Sequence, residues 1–431
     1  MDEFHYRDGA LFCEEISANE IARSAGTPCY VYSAATFRQH YTRLREAFAP
    51  LNPLICYSVK CCSNIAILRL LTELGAGMDV VSGGEIFRAL RAGGDPKNFV
   101  YAGVGKSEAE IRLALQSGVG LFNIESEMEF ENIARIAREM KIHTTAALRV
   151  NPDVDPKTHR YTTTGKRESK FGVDLERASA FFRAYGHDPY VALCGIHLHI
   201  GSPVYTTGPY IESVQKALAL MDELAREGFR IDTLDLGGGF GADYESDQSP
   251  LAIEYAAAIV PVLQSRVEGG LRIILEPGRT IAANAGILLT RVEYVKKSGD
   301  RTFVICDAGM NTLLRPSHYG AFHFVWPVHP GVALTPPRRA RELVLPGLQR
   351  TEVVGPLCET GDFLAEDRML PPVSRGDLVA IFTAGAYGMA MASRYNSHPL
   401  PTEVLVEGAT LRVIRAREQY EDLVLHERDS F

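Results

Sequence analysis

From residue 54 to residue 275 the chain alternates short apolar runs with stretches of helical period, and that rhythm narrows its choice of fold more than any other feature. Apolar runs too short for helices, each followed by a helical pattern, read as parallel strands with crossover helices, because a strand buried on both faces shows no polar alternation. Strands are predicted at 54–59, 78–81, 99–101, 121–124, 144–150, 191–199, 233–236 and 272–275. Helix starts are marked between them. Ser107 with Glu110, and Ser126 with Glu129, have the spacing of a capping box, in which each side chain satisfies an orphan N–H of the first turn. Gly75 and Gly118 stand where a helix end takes a left-handed residue. Eight strands alternating with helices predict an α/β fold of the (β/α)8 TIM-like barrel type.

The rest of the chain follows another pattern. Past residue 285, β-branched runs at 287–296, 301–307, 378–382 and 403–406 have no regular helices between them, which predicts a second, mostly antiparallel β domain. The first ~30 residues, ending in the strand-like run Cys29-Tyr30-Val31-Tyr32, precede the barrel and are expected to join that sheet. The expected division is 34–285 for the barrel and 1–33 with 286–431 for the β-rich domain, and 431 residues suit two domains. Two polar stretches interrupt the rhythm. The one at 151–170, rich in Pro, Thr and Asp, exceeds the usual strand-to-helix connection and is expected to be a functional loop or lid; the one at 241–250 is a shorter insertion.

Composition removes several classes of function. A net charge of −8 gives no general attraction to nucleic acid or anionic membranes. No apolar run approaches the ~20 residues that span a bilayer, and the acidic Met1-Asp2-Glu3 start lacks the layout of a signal peptide. Eight cysteines without a CxxC pair suggest neither a disulfide framework nor a zinc site, and Cys61 and Cys62 read as packing residues. A cytoplasmic protein without a metal is expected.

In barrel enzymes the reacting groups stand at the C-terminal ends of the strands. Those places hold Lys60, Asp79, Arg149, His197 with His199, Gly237-Gly238-Gly239, and Glu276-Pro277-Gly278-Arg279, after the first, second, fifth, sixth, seventh and eighth strands. A lysine at a strand end is most often a charge that escapes to solvent. Its other use is as an amine that forms a Schiff base with a carbonyl cofactor. The glycines favour the second use, because loops after the last two strands commonly bind phosphate through N–H groups that no Cβ obstructs. Phosphate opposite a lysine suggests pyridoxal phosphate, whose aldehyde needs the amine and whose ring nitrogen needs a partner of fixed charge. Glu276 can be that partner. One of the two histidines, which period two puts on the same side of their strand, can stack on the cofactor while the other is a packed, hydrogen-bonded residue.

The segments Asn151-Pro152-Asp153-Val154-Asp155-Pro156, Ser169-Lys170-Phe171-Gly172-Val173, His199-Ile200-Gly201-Ser202, Gly237-Gly238-Gly239-Phe240, Glu276-Pro277-Gly278-Arg279, Gly355-Pro356-Leu357-Cys358-Glu359-Thr360-Gly361-Asp362 and Tyr395-Asn396-Ser397 together resemble the diaminopimelate decarboxylase family of fold-type III pyridoxal-phosphate decarboxylases. The resemblance runs from about residue 28 to about residue 401 and implies an alanine-racemase-like barrel. It implies that Lys60 carries the cofactor as a Schiff base, that His199 stacks on its ring, that Glu276 pairs with the ring nitrogen, and that Ser202, Gly238, Gly239, Gly278 and Tyr387 hold the phosphate. Asp79 and Arg149 match supporting positions near the cofactor. Arg279, Arg315, Tyr319 and Tyr387 would bind the substrate, with the arginines on its distal carboxylate, where a planar guanidinium fits. Glu359 would receive the distal ammonium, and Cys358, reaching the site from the partner subunit of a homodimer, would protonate the carbon that loses carbon dioxide. The expected reaction is conversion of meso-2,6-diaminopimelate to L-lysine and carbon dioxide.

The chain departs from the family pattern at Pro203, where Gln is common, at Cys61-Cys62 in place of Ala-Asn, and at Thr360 in place of Ser. None of these removes a reacting group. Alternatives stay open: decarboxylation of ornithine, arginine or a carboxylated polyamine such as carboxynorspermidine, a racemase of similar fold, or a cofactor-free binding relative. Arg315 disfavours the simple diamine precursors, whose distal ammonium would meet a like charge. Cys358-Glu359 disfavours a racemase, and the presence of Lys60 disfavours a cofactor-free protein.

Overall fold

The predicted strands form, and they close on themselves. The computed structural model describes residues 2–155 and 170–428. Its barrel strands are β1 Leu54–Ser58, β2 Gly77–Val80, β3 Phe99–Tyr101, β4 Leu121–Ile124, β5 Thr144–Asn151, β6 Val191–His197, β7 Thr233–Asp235 and β8 Arg272–Leu275. Each runs parallel to the next, and β8 pairs with β1. The barrel is therefore a sheet without a free edge. Cys56, Val100, Leu121, Ala147 and Ile274, drawn from five strands, pack together inside it.

Strand ends differ from the predicted ones where the backbone turns. β6 stops at His197 rather than 199, and β7 at Asp235 rather than 236, because the chain leaves the sheet for the positive-φ glycines Gly201 and Gly237. His199 thus lies beyond the strand, and period-two alternation does not place it beside His197. β1 gives way at Ser58 to a single 3-10 turn, Val59–Cys61, which carries Lys60.

The Ser107 and Glu110 capping box is present, and Gly75 and Gly118 have φ of +91° and +76°. At the next helix only half of the expected box forms. Ser126 Oγ accepts from Glu129 N at 3.4 Å, but the Glu129 carboxylate turns to Glu125 N at 2.8 Å and to Lys106 Nζ at 2.5 Å. The cause is Lys106, whose side chain is fully buried and whose other protons go to the carbonyls of Gly103 and Asn123, both at 2.8 Å. This amine ties the ends of β3 and β4 to the following helix. Lys106→Met strands the nearly buried Glu129 carboxylate and is expected to lower unfolding free energy by about 3 kcal/mol, measured by urea denaturation. The loss should shrink as pH falls, since burial already raises the Glu129 pKa and a protonated carboxyl needs no counter-charge.

The chain divides into two compact units: His40–Gly241 with Ser249–Thr280, which is the barrel, and Met1–Gln39 with Ala242–Gln248 and Ile281–Phe431. The spine of the second unit is the thirteen-residue strand Gly286–Ser298. One end pairs antiparallel with Arg301–Cys306, and the other with Cys29–Ser33 on one side and Leu378–Ile381 on the other. Cys29–Ser33 in turn pairs parallel with Thr402–Glu407, so an N-terminal strand sits inside a sheet of C-terminal ones. Of the first ~30 residues only Cys29 onward joins that sheet; Phe4–Arg7, Ala10–Cys13 and Ile16–Ser17 form a separate small sheet, with strands too short for a periodic signal. Within the expected 151–170 lid, residues 156–169 lie outside the described residues. No helix among the described residues is long and apolar enough to cross a membrane.

Candidate active site

The inside of the barrel changes character from bottom to top. Below it is apolar; at the C-terminal ends Ser58, Asp79, Asn123, Arg149, His197, Asp235 and Glu276 are all buried and polar. Lys60 stands beside this layer with its side chain 38% exposed and its Nζ 2.5 Å from Asp79 Oδ2. Ser58 Oγ bonds the same carboxylate oxygen at 2.5 Å and the Glu276 carbonyl at 3.1 Å. Burial raises the Asp79 pKa while Lys60 opposes the rise. A lysine held this way is an addressed amine rather than a charge trailing into solvent.

His199 is neutral. Desolvation, and then the Arg149 guanidinium, lower its pKa to about 3. Its Nδ1 accepts from Gly238 N at 3.2 Å, which fixes the ring against the glycine loop. His197 instead presents Nε2 to Glu276 Oε2 at 3.3 Å. Burial alone would raise the Glu276 pKa, but His197, then Lys60 and His199, bring it well below the usual carboxylate range. Arg149 is paired at 3.0 Å with Glu125, whose other oxygen accepts from Gly172 N at 2.7 Å.

The glycines are required by the protein itself. A Cβ on Gly238 would fall 2.3 Å from the Glu276 carbonyl oxygen, and one on Gly239, where φ is +97°, 2.4 Å from the Gly201 carbonyl oxygen. On Gly278 it would meet Cys61 Sγ at 2.2 Å and Ser58 Cβ at 2.8 Å, so the buried Cys61 fills the space that this glycine vacates and braces the turn bearing Lys60. Arg279 Nε donates to Ser202 Oγ at 3.1 Å, joining the loops after β8 and β6.

The remaining expected residues lie in the β-rich unit. Arg315 is buried at the start of the short helix Arg315–Tyr319, with its guanidinium 5.2 Å from the ring centre of Tyr244 and 5.6 Å from that of Tyr319. Its Nε donates to His323 Nε2 at 3.3 Å, and His323 Nδ1 faces the Phe382 carbonyl at 2.9 Å. Cys358 and Glu359 are exposed, on a loop that Asp362 folds by accepting from Met310 N at 2.6 Å and Leu357 N at 2.7 Å. Cys358 N donates to Asn396 Oδ1 at 3.0 Å, and the Glu359 carboxylate raises the Tyr395 hydroxyl's pKa. Two motifs far apart in sequence are therefore one loop cluster. Tyr387 has φ of +57°, an uncommon conformation for a bulky residue. The sequence reading missed Asn123, Asp235 and Glu125 in the barrel and gave no role to Asp362; each is a polar residue inside or beside an apolar run.

A parallel barrel with an addressed lysine, an ionised carboxylate and a neutral imidazole at its C-terminal end defines a class of cofactor enzymes. The chain belongs to the pyridoxal-dependent decarboxylase family, whose pyridoxal-binding domain matches residues 34–283. Its full-length relatives narrow this further. A diaminopimelate decarboxylase of Aquifex aeolicus is 44% identical over 419 residues, covering 97% of this chain and 96% of that protein. The structure of diaminopimelate decarboxylase from Helicobacter pylori complexed with L-lysine matches with a TM-score of 0.88 at 40% identity, covering 95% of this chain and 98% of that one. The M. jannaschii enzyme in co-complex with L-lysine matches at 0.90 and 34% identity, over 99% and 98%.

The residues present fit pyridoxal phosphate. An amine, a carboxylate held ionised and a flat neutral ring are the donor set it needs. Among the described residues, Asp79 Oδ1 and Arg149 Nε are buried without a hydrogen-bond partner, as polar atoms beside a binding place for a polar molecule would be.

Proposed function

We propose that this chain is a cytoplasmic homodimer that decarboxylates meso-2,6-diaminopimelate to L-lysine, the last step of lysine biosynthesis, with residues 34–285 as the cofactor-binding domain and 1–33 with 286–431 as the β-rich domain. The observation that carries the substrate is Arg315: a buried guanidinium stacked on two tyrosines suits a distal carboxylate and repels a distal ammonium.

Pyridoxal phosphate, when bound, supplies an aldehyde for the substrate's amine and a ring that accepts the electrons released with carbon dioxide. The chain supplies everything else. Lys60 offers the amine, and Asp79 aims it. Glu276, anionic under the influence of His197, provides a fixed negative charge for the ring nitrogen. His199, uncharged and held by Gly238 N–H, offers a flat face to the ring without competing for a proton. Ser202, Gly238, Gly239, Gly278 and Tyr387 are assigned to the phosphate, and Arg149 to the wall beside it. Arg279, Arg315 and Tyr319 take the distal carboxylate, Glu359 the distal ammonium, and Tyr387 also binds the substrate. Cys358 Sγ gives a proton to the carbon that has lost carbon dioxide. Its exposure, and that of Glu359, supports a role across a dimer interface.

Carbon dioxide release from meso-diaminopimelate, ornithine, arginine and carboxynorspermidine tests the reading. Turnover of diaminopimelate to lysine is expected to dominate, and preference for another substrate would sink the assignment of Arg315. Arg315→Met should lower kcat/KM for diaminopimelate by about 10- to 100-fold, the worth of one charge-assisted contact.

A further inference from the structure

The polar layer of the barrel contains a problem of charge. Asp235 and Glu276 are both buried, and their carboxylates and His197 Nε2 lie within 4.8 Å of one another. One amide serves both acids: Asn123 Nδ2 donates to Asp235 Oδ2 and to Glu276 Oε1, each at 3.2 Å. Asp235 Oδ1 accepts from Gly237 N at 2.9 Å, and the Glu276 charge acts directly on the Asp235 carboxyl beside it. Two acids that touch in a dry site do not both ionise; the pair keeps one proton.

The surroundings decide which acid keeps it. Glu276 faces the His197 ring and feels Lys60 and His199, and its carboxyl is held low. For Asp235, burial followed by the Glu276 charge pushes the carboxyl well above the carboxylate range. Asp79 and the buried thiol of Cys56 complete the titratable groups around the pair and bring no positive charge.

We propose that Asp235 and His197 are positioning residues that keep Glu276 a carboxylate: Asp235 holds the pair's proton and directs it at Glu276, while the His197 ring stands 3.3 Å from the second Glu276 oxygen and limits where it can turn. Neither residue touches the reacting atoms in this assignment. Their work is to give the ring nitrogen a partner whose charge and direction do not change. The inference rests on the cofactor reading above only for what Glu276 is held to do.

Isotope-edited infrared spectra of the apoprotein with 13C-labelled aspartate test the location of the proton without cofactor or turnover. A carbonyl stretch from one protonated aspartic acid is expected at neutral pH and should vanish in Asp235→Asn. Absence of the band, its survival in Asp235→Asn, or a stoichiometric divalent cation that a chelator removes from the trio would overturn the proposal. In the holoenzyme, Asp235→Asn retains a neutral donor and is expected to keep cofactor affinity within about threefold, whereas Asp235→Leu should lose about tenfold or more. Equal losses in the two would count against a donated proton. His197→Gln should retain more affinity than His197→Leu, and the reverse order would remove His197 from the assignment. If no tested amino acid is decarboxylated, the proposed function fails while the apoprotein band still decides this inference.

Discussion

Lys60→Ala is expected to abolish the visible absorbance of lysine-bound pyridoxal phosphate and to reduce turnover by on the order of 10³-fold or more, the scale on which a covalent-catalysis residue matters. The structure gives a reason to separate this from a folding defect. Lys60 lies on a short turn with its side chain 38% exposed, so truncation removes no core packing. It does release Asp79, whose Oδ2 keeps only Ser58 and whose pKa, already raised by burial, should rise again. Asp79 is left buried without its counter-charge, so a fall in thermal stability is expected, and the loss of absorbance is read on folded protein below that transition. A variant that kept both the absorbance and normal turnover would exclude Lys60 as the cofactor's anchor.

Cys358→Ala should be nearly as severe for lysine formation while leaving the cofactor spectrum intact, because the thiol is exposed on the Asp362-folded loop and is assigned only the proton. The two variants test the shared site together. If Cys358 serves the partner's Lys60, mixing Lys60→Ala with Cys358→Ala subunits creates mixed dimers with one intact site, and statistical exchange should restore about a quarter of wild-type activity. Two inactive parents that stayed inactive after verified exchange would place both residues in a site within one chain. Recovery would fix the dimer and the origin of the proton in one experiment.

The fold was legible to the extent that burial writes a pattern. The barrel strands are buried on both faces and short, so their apolar runs located them to within two residues. What failed was what tertiary partners decide. Glu129 has the spacing of a capping box but is drawn away by Lys106, a residue twenty-three positions earlier that no local rule connects to it. Strand Thr410–Arg415 has no buried residue, so no core face marks its pattern and its pairing with Thr402–Glu407 is what makes it a strand. Within the barrel's polar layer, Lys60, Asp79, Arg149, His197 and Glu276 were found because they stand at strand ends. Asn123 and Asp235 were passed over because each is one polar letter inside an apolar run, and a single polar residue there looks like noise until its partners are known. Asp362 was read as part of a motif, but its task of folding the Cys358 loop depends on Met310, which is distant in sequence.

The strand Cys29–Ser33 also bears on how this chain can be made. All five of its residues are buried, and its two neighbours, Gly286–Ser298 and Thr402–Glu407, lie on the far side of the barrel sequence. A ribosome releasing the chain from its N-terminus delivers every barrel strand by Leu275 before either neighbour exists. Throughout that interval an apolar segment with two open edges has no native pairing to adopt, the condition under which strands find other chains. Its sheet closes only when Thr402–Glu407 emerges, so a strand made ahead of the whole barrel is among the last to be secured in space.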